Sequence, residues 1–322
     1  MSHYLTIVES SNSEICEKLE RYSEWTEEPE FLEFSDETEE YKKEYEGTTL
    51  AVKYANGDII EPPNSTFNRK YIIKDGKVYE KGWGKNRIEK RSKQAKRIKV
   101  LSNYPLRKVY KTFDEFATDG RSLSCNDEGK YGYYYNPEAH LDWFVAGGRF
   151  ADNILVKESV TEFVEDESIF KEMKKKKYAP KGYKWVCGAK KRDIEWDLMK
   201  RLEMKEAVKS YYTNKAVFES GRVRDSLSTI KEEKLMYLGD VLYVKEETLK
   251  DYFIRNGLYS SKYYIDCYAY VNSDDEWHSQ GEMGWFGISN NDMETAKWQE
   301  NVEKFIETVD DDHYIILVDC HI

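Results

Sequence analysis

One short stretch, NPEAHLDWFVAGGRF, brings together several side chains that are suited to chemistry. It contains a carboxylate at Asp142, an indole at Trp143, adjacent glycines at Gly147 and Gly148, and a guanidinium at Arg149. The planar guanidinium can hold a phosphate through paired hydrogen bonds, and the indole can stack on a base. Asp142 and Arg149 could instead form an internal ion pair that orders the loop. The glycine pair is typical either of a turn with positive φ or of a backbone cradle for an anion.

Further ligand-binding candidates lie later in the chain, at Asp193, Glu195, Trp285, Asp319 and His321. Carboxylates and a histidine together could bind a divalent cation, and His321 could act as a ligand or a general base. The alternatives are a histidine that completes an edge strand and a tryptophan that packs in the core. The spacing matches none of the motifs H-E-x-x-H, G-x-S-x-G or G-x-x-x-x-G-K-S/T. The sequence therefore assigns no catalytic residue, no metal and no cofactor.

Charge is distributed unevenly along the 322 residues, whose formal net charge is −11. Residues 1–50 contain 15 Asp and Glu against 4 Lys and Arg, whereas residues 81–111 contain 12 Lys and Arg against one acid, Glu89. The two segments could steer charged partners, or they could attract one another within the fold. No recognisable nucleic-acid motif accompanies the basic segment, so nucleic acid is the weaker of the predicted partners.

The cysteines and the hydropathy pattern are typical of a reduced cytosolic protein. The five cysteines are scattered and form no Cys-x-x-Cys pair, which favours free thiols over a zinc site or a disulfide framework. No run of eighteen apolar residues and no charged-then-apolar leader is present. We therefore expect neither a membrane span nor a secretory signal.

Strand-like segments at both ends of the chain predict how the candidate residues are positioned. The segments HYLTIV and YIILVD, at residues 3–8 and 314–319, both read as strands. Apolar residues at helical spacing predict an amphipathic helix over residues 298–309. Asn-Gly at residues 56–57 and Asp-Gly at residues 75–76 are typical of hairpin turns. Together these patterns predict an α+β fold.

We expect its sheet to be mixed or antiparallel, built from both chain ends and flanked by helices. With no long linker and no internal repeat, the sequence favours one composite unit over residues 1–322. Two segments look like insertions into it. Residues 50–112 read as a β-meander followed by the basic segment, and residues 205–261 read as mainly helical and rich in tyrosine.

Four features, in matching order along the whole chain, carry a resemblance to an uncharacterised family of bacteriophage and mobile-element proteins. They are the opening MSHYLTIV, the Asn-Pro-x-Ala-x-x-Asp-Trp and Gly-Gly-Arg signature of residues 136–149, the segment AKKRDIE at 189–195, and the C-terminal blocks GEMGWFG at 281–287 and VDCHI at 318–322. Phe150, Arg192 and Glu195 depart from the family's usual Trp, Gly and Asp. The resemblance implies a phage or prophage gene whose product acts in the host cytoplasm, and it supplies no activity.

These observations favour a binding protein over an enzyme. The first hypothesis is a phage accessory protein that binds and inhibits a host protein complex, with antiviral defence systems such as Gabija, Thoeris, CBASS or CRISPR as the expected targets. The alternative is a nucleotide-binding sponge or a metal-dependent phosphoesterase that uses the Asp, Arg and His candidates. A third hypothesis is nucleic-acid binding through residues 81–111.

Overall fold

The computed structural model describes residues 3–62, 65–82, 91–169, 177–223, 226–237, 240–259, 262–283 and 289–322. Residues 1–31 together with 138–322 form one compact unit, and residues 32–137 form a second. The second unit covers more of the sequence than the insertion expected at residues 50–112. Each unit is described below by itself.

Both units contain strands and helices. The strands, numbered in chain order, are β1 (His3–Ser10), β2 (Glu33–Asp36), β3 (Thr48–Lys53), β4 (Ile59–Ile60), β5 (Tyr71–Lys74), β6 (Lys77–Glu80), β7 (Lys99–Pro105), β8 (Ser124–Cys125), β9 (Tyr131–Tyr135), β10 (Trp143–Ala146), β11 (Ile154–Lys157), β12 (Phe163–Val164), β13 (Tyr183–Val186), β14 (Gly188–Lys190), β15 (Ser228–Lys231), β16 (Lys234–Tyr237), β17 (Asp240–Val244), β18 (Ala269–Val271), β19 (Trp277–Ser279), β20 (Glu282–Met283), β21 (Ser289–Asn290) and β22 (Tyr314–His321). The α-helices are α1 (Cys16–Leu19), α2 (Thr38–Tyr45), α3 (Ser65–Lys70), α4 (Phe113–Glu115), α5 (Trp196–Ser220), α6 (Leu249–Arg255) and α7 (Thr295–Thr308).

The main sheet of the first unit is centred on the two terminal strands. Its order is β12-β14-β22-β1-β18-β19, and β10 also pairs with β22. β1 and β22 are antiparallel over their full length, from His3 opposite His321 to Ser10 opposite Tyr314. β18 is parallel to β1, so the sheet contains both kinds of pairing. The prediction of an α+β fold with a sheet built from both chain ends is confirmed.

Both faces of this sheet are buried. Successive side chains of a strand point to opposite faces, so Leu5 and Ile7 lie on one face and Val8 on the other. Leu5 and Ile7 share a hydrophobic cluster with the buried side of α7. Val8 shares a second cluster with Leu19 and other residues of the following turns. Burial on both faces explains why the two terminal strands read as nearly continuous apolar runs.

The helical character expected for residues 205–261 holds only for part of that segment. After α5, the strands β15, β16 and β17 form a three-stranded antiparallel sheet, and α6 follows. Glu232 and Glu233 turn the chain between β15 and β16 with φ of 49° and 63°. Sequence reasoning missed this hairpin because glutamates, rather than the usual Asn-Gly pair, occupy its positive-φ positions.

The second unit contains three small antiparallel sheets, with orders β2-β9-β8, β4-β3-β7 and β5-β6. The two hairpins predicted from Asn56-Gly57 and Asp75-Gly76 are confirmed, because they connect β3 to β4 and β5 to β6. Within this unit the acidic and basic segments do meet, since Arg107 lies 3.3 Å from Glu46. Both side chains are more than half exposed, so this pair stabilises the fold only slightly. Residues 83–90 of the basic segment lie outside the described residues.

Within the described ranges, no helix is both long enough and apolar enough to span a bilayer.

The packing of α7 generates a stability prediction. Ile306 is fully buried in the cluster that α7 shares with β1 and β22. We expect Ile306→Ala to lower the free energy of unfolding by about 2–5 kcal/mol, because it leaves a cavity beside the main sheet. Lys304→Ala, at an exposed position of the same helix, is the control. It should change the free energy of unfolding by less than about 0.5 kcal/mol. Urea denaturation measures both, and equal effects would contradict the described packing.

Candidate functional site

The candidate site lies at the end of the main sheet where β1 begins and β22 ends. His3 is opposite His321 in the β1–β22 ladder, and Trp143 of β10 is opposite His321 on the other side. Asp319 is two residues from His321 and therefore shares its face of the sheet. The strand register alone thus gathers two histidines, a carboxylate and an indole.

Three of these residues border a cavity of about 470 Å³. The strands supply one part of its wall, and the loops that follow β10 and β12 supply the rest. The lining residues are His3, Trp143, Val145, Gly148, Arg149, Glu167, Ser168, Ile169 and Asp319. The lining therefore combines a histidine, a cation and carboxylates with an aromatic and an aliphatic surface.

The buried carboxylate of Asp319 is held by donors on both of its oxygen atoms. Asp319 is only 2% exposed. Its Oδ1 lies 2.8 Å from Nδ1 of His3, and its Oδ2 accepts a hydrogen bond of 2.8 Å from the backbone N–H of Arg149. A buried carboxylate is costly unless it is hydrogen-bonded. These two donors stabilise the charge and fix the orientation of the His3 ring.

A second histidine–carboxylate pair lies beside the first. Nδ1 of His321 is 3.0 Å from Oδ2 of Asp142. The indole of Trp143 stacks on the His321 ring, with centroids 5.0 Å apart and an interplanar angle of 11°. The His3 ring meets the His321 ring edge-on with centroids 5.0 Å apart, and it meets the Trp143 ring edge-on with centroids 5.4 Å apart. Trp143 covers His321, which is 6% exposed, whereas His3 borders the cavity.

Glu24 adds a further carboxyl group next to Asp142. A hydrogen bond with the Asp142 carboxyl, followed by burial and the negative charge of Asp142, raises the pKa of Glu24. Protonation of Glu24 relieves the repulsion between the two carboxyl groups. The outer side of the second histidine pair is therefore acidic.

The glycine pair shapes the loop that supports Asp319. Gly147 and Gly148 have φ of 80° and 54°, a region that other residues rarely adopt. A Cβ at Gly148 would overlap the Cβ and the carboxylate of Asp319. The N–H of Gly147 donates to the carbonyl of Leu317, and that of Gly148 to the carboxylate of Asp166. The pair is thus a turn that permits close approach; these two N–H groups are engaged within the protein and do not cradle an anion.

The internal ion pair expected between Asp142 and Arg149 is not formed. The Asp142 carboxylate binds His321, and the backbone of Arg149, rather than its side chain, binds Asp319. Among the residues that the structure describes, no carboxylate lies within 4.0 Å of the exposed Arg149 guanidinium. The guanidinium instead borders the cavity.

Two of the predicted candidates lie away from this cavity, and a third cannot be placed. Asp193 ends the 3₁₀ turn Lys191–Asp193 before α5. Glu195 immediately precedes α5 and lies 3.2 Å from Lys157. Neither residue lines the cavity. Trp285 lies outside the described residues. The structure therefore brings Asp142, Trp143, the Gly-Gly-Arg turn, Asp319 and His321 together at one end of the main sheet, and it places Asp193 and Glu195 elsewhere.

Sequence reasoning missed His3, the residue that completes the site. Its signal was present: the opening segment begins with a histidine, and the closing segment ends with Asp-Cys-His. Antiparallel pairing of these two segments in full register would place His3 near both Asp319 and His321. Register is set by contacts between strands, so the sequence of either strand alone does not reveal it.

In the described part of the chain, no group of three or more His, Cys, Asp or Glu side chains is arranged to hold a metal ion. No protein-family model, curated protein or solved structure matches the chain. The resemblance to phage proteins therefore stays a prediction.

The contact between Gly148 and Asp319 generates a second stability prediction. We expect Gly148→Ala to lower the free energy of unfolding by about 2–5 kcal/mol, because it adds overlap to the strain of positive φ. Gly221→Ala is the matched control: its φ is 64°, but open space surrounds its Cβ position. Strain alone should cost the control about 1–2 kcal/mol. Urea denaturation measures the free energy of unfolding of both variants. Similar losses in the two would show that the close approach of Gly148 to Asp319 does not contribute to stability.

Proposed function

We propose that this protein binds a small phosphate-bearing molecule, of the nucleotide class, in the cavity beside His3 and Asp319. The observation that carries the proposal is the pairing of an exposed guanidinium, Arg149, with an indole, Trp143, on the wall of one cavity. Arg149 offers planar donors to a phosphate, and Trp143 offers an aromatic surface to a base.

The dimensions and the anchoring of the cavity support this function. Its volume of about 470 Å³ lies within the usual range for small-molecule sites. Trp143 is 44% exposed although it is packed on His321, so part of its surface is available to a ligand. His3 and Asp319 are held by β1 and β22, which gives the site a rigid floor. A rigid site loses little conformational freedom when a ligand binds.

Calorimetry with AMP, ADP, cyclic AMP, a cyclic dinucleotide and inorganic phosphate tests the proposal. We expect at least one nucleotide to bind, and to raise the melting temperature because it binds only the folded state. Arg149→Ala should weaken that binding about 10- to 100-fold by removing charged hydrogen bonds to phosphate. Arg201→Ala, which removes the same charge from an exposed position of α5, is the control and should bind normally. If no nucleotide binds, or if both variants weaken binding equally, this function is rejected.

A second function is favoured by the tyrosine-rich strand β9. Tyr133, Tyr134 and Tyr135 are 49%, 50% and 41% exposed, which is unusual for three consecutive large side chains. Tyrosine is enriched at the centres of protein interfaces. We propose that this strand binds a host protein complex. Antiviral defence systems such as Gabija, Thoeris, CBASS or CRISPR remain the targets expected from the resemblance to phage proteins.

Affinity purification from a bacterial host that carries several defence systems tests the second function. We expect a host protein to copurify in stoichiometric amount with the wild type, and to be lost from the double variant Tyr133→Ser, Tyr135→Ser. Tyr212→Ser alters a tyrosine on α5 that is 57% exposed, and it should retain the partner. Mass spectrometry of the eluates identifies proteins and small molecules together. The interface role is refuted if the double variant keeps every partner of the wild type.

A further inference from the structure

The His3 ring is held on several sides, yet one of its nitrogen atoms remains available. Nδ1 is engaged by Asp319, while the rings of Trp143 and His321 contact the imidazole edge-on. His3 therefore lines the cavity with a ring whose Nδ1 is engaged and whose Nε2 has no hydrogen-bond partner among the described residues.

Asp319 determines which nitrogen carries the proton in the neutral ring. An ionised carboxylate only accepts hydrogen bonds, so the proton of neutral His3 lies on Nδ1 and the lone pair lies on Nε2. A buried carboxylate that holds a histidine in this way also stabilises the imidazolium that forms when Nε2 takes up a proton. These are the two properties that a general base requires.

We propose that His3 is the catalytic general base in the hydrolysis of a phosphodiester bond of the ligand. Asp319 is its positioning residue. This inference rests on the proposed function, since it places the phosphate of a nucleotide beside Arg149 in the same cavity. Both His3 and Arg149 line that cavity. A phosphate held by the guanidinium would thus occupy a cavity whose wall includes the His3 ring.

The reaction balances without a further reactant. Nε2 of His3 takes a proton from water while the water oxygen forms a bond to phosphorus. The bond between phosphorus and the leaving oxygen breaks, and its electron pair stays on that oxygen. The leaving oxygen takes a proton from solvent, and the protonated His3 releases its proton to solvent, which restores the neutral ring. The products are a phosphomonoester and an alcohol, and the Arg149 guanidinium stabilises the charge on the phosphoryl oxygens during the step.

The second histidine pair has a supporting role in this arrangement. His321 is buried beneath Trp143 and does not line the cavity. Its ring packs against the edge of His3, and its Nδ1 is held by Asp142. His321 therefore restricts the His3 ring without contacting the ligand.

A matched control exists at the opposite end of the same two strands. Nδ1 of His313, just before β22, lies 2.9 Å from Oε1 of Glu9, which is buried in β1. This pair has the same chemistry as His3 and Asp319, but it does not line the cavity described above. His313→Gln therefore tests whether the loss of any histidine–carboxylate pair has the same effect.

Hydrolysis of bis(4-nitrophenyl) phosphate and of cyclic AMP, followed by absorbance and chromatography, tests the inference. We expect His3→Gln to lower kcat by about 10²- to 10⁴-fold while the nucleotide affinity from calorimetry changes little. His313→Gln should hydrolyse both compounds like the wild type. Asp319→Asn should lower kcat with little change in KM, because the amide no longer fixes the orientation and the tautomer of the His3 ring.

The outcomes separate this inference from the function on which it depends. Nucleotide binding with hydrolysis that depends on His3 supports both. Nucleotide binding without hydrolysis, or with hydrolysis that survives in His3→Gln, overturns the catalytic role and leaves the binding function standing. Failure of both binding and hydrolysis overturns both.

Discussion

The antiparallel ladder between β1 and β22 is the interaction on which the rest of the structure depends. It pairs eight residues of each strand and forms the centre of a sheet that is buried on both faces. Every other strand of that sheet adds to one side of this ladder or the other. The ladder also sets the site, because its register places His3 opposite His321 and on the same face as Asp319. Shifting the register by one residue would place His3 on the face that carries Cys320 and away from Asp319.

The site stabilises the Asp319 carboxylate on a sheet face that is otherwise apolar. Asp319 occupies a face that is otherwise filled by residues such as Leu5 and Leu317, and an unpaired carboxylate there would be strongly destabilising. The imidazole of His3 and the backbone N–H of Arg149 remove that penalty. The second donor reaches Asp319 only because Gly148 has no side chain. The Gly-Gly-Arg turn is thus as much a support for the carboxylate as a part of the cavity wall.

Sequence patterns predicted the parts of this protein that follow from local chemistry. Strand-forming residues, hairpin dipeptides and helical spacing identified the terminal strands, two turns of the second unit and α7. The mixture of residue types around Asp142 and Arg149 singled out residues that the fold brings together, and so did the polar end of β22. The sequence does not reveal two kinds of information. The partner of each charged group depends on register and loop path, so Asp142 pairs with His321 instead of Arg149. Proximity across the sheet decides membership of the cavity, which excludes Asp193 and Glu195 and includes His3.

The ladder that joins β1 to β22 also determines how the chain must fold. His3 and Asp319 are 316 positions apart, so a very long loop must close before the central pairing of the sheet can form. Loop closure of this kind costs conformational entropy that is recovered only when the distant contacts are made, and such topologies fold slowly. Until then, β1 is an apolar strand with two open edges, which is the kind of segment that aggregates. The second unit contains none of β1 or β22, so its sheets, which include the pairing of β2 with the distant β9, do not wait for that closure.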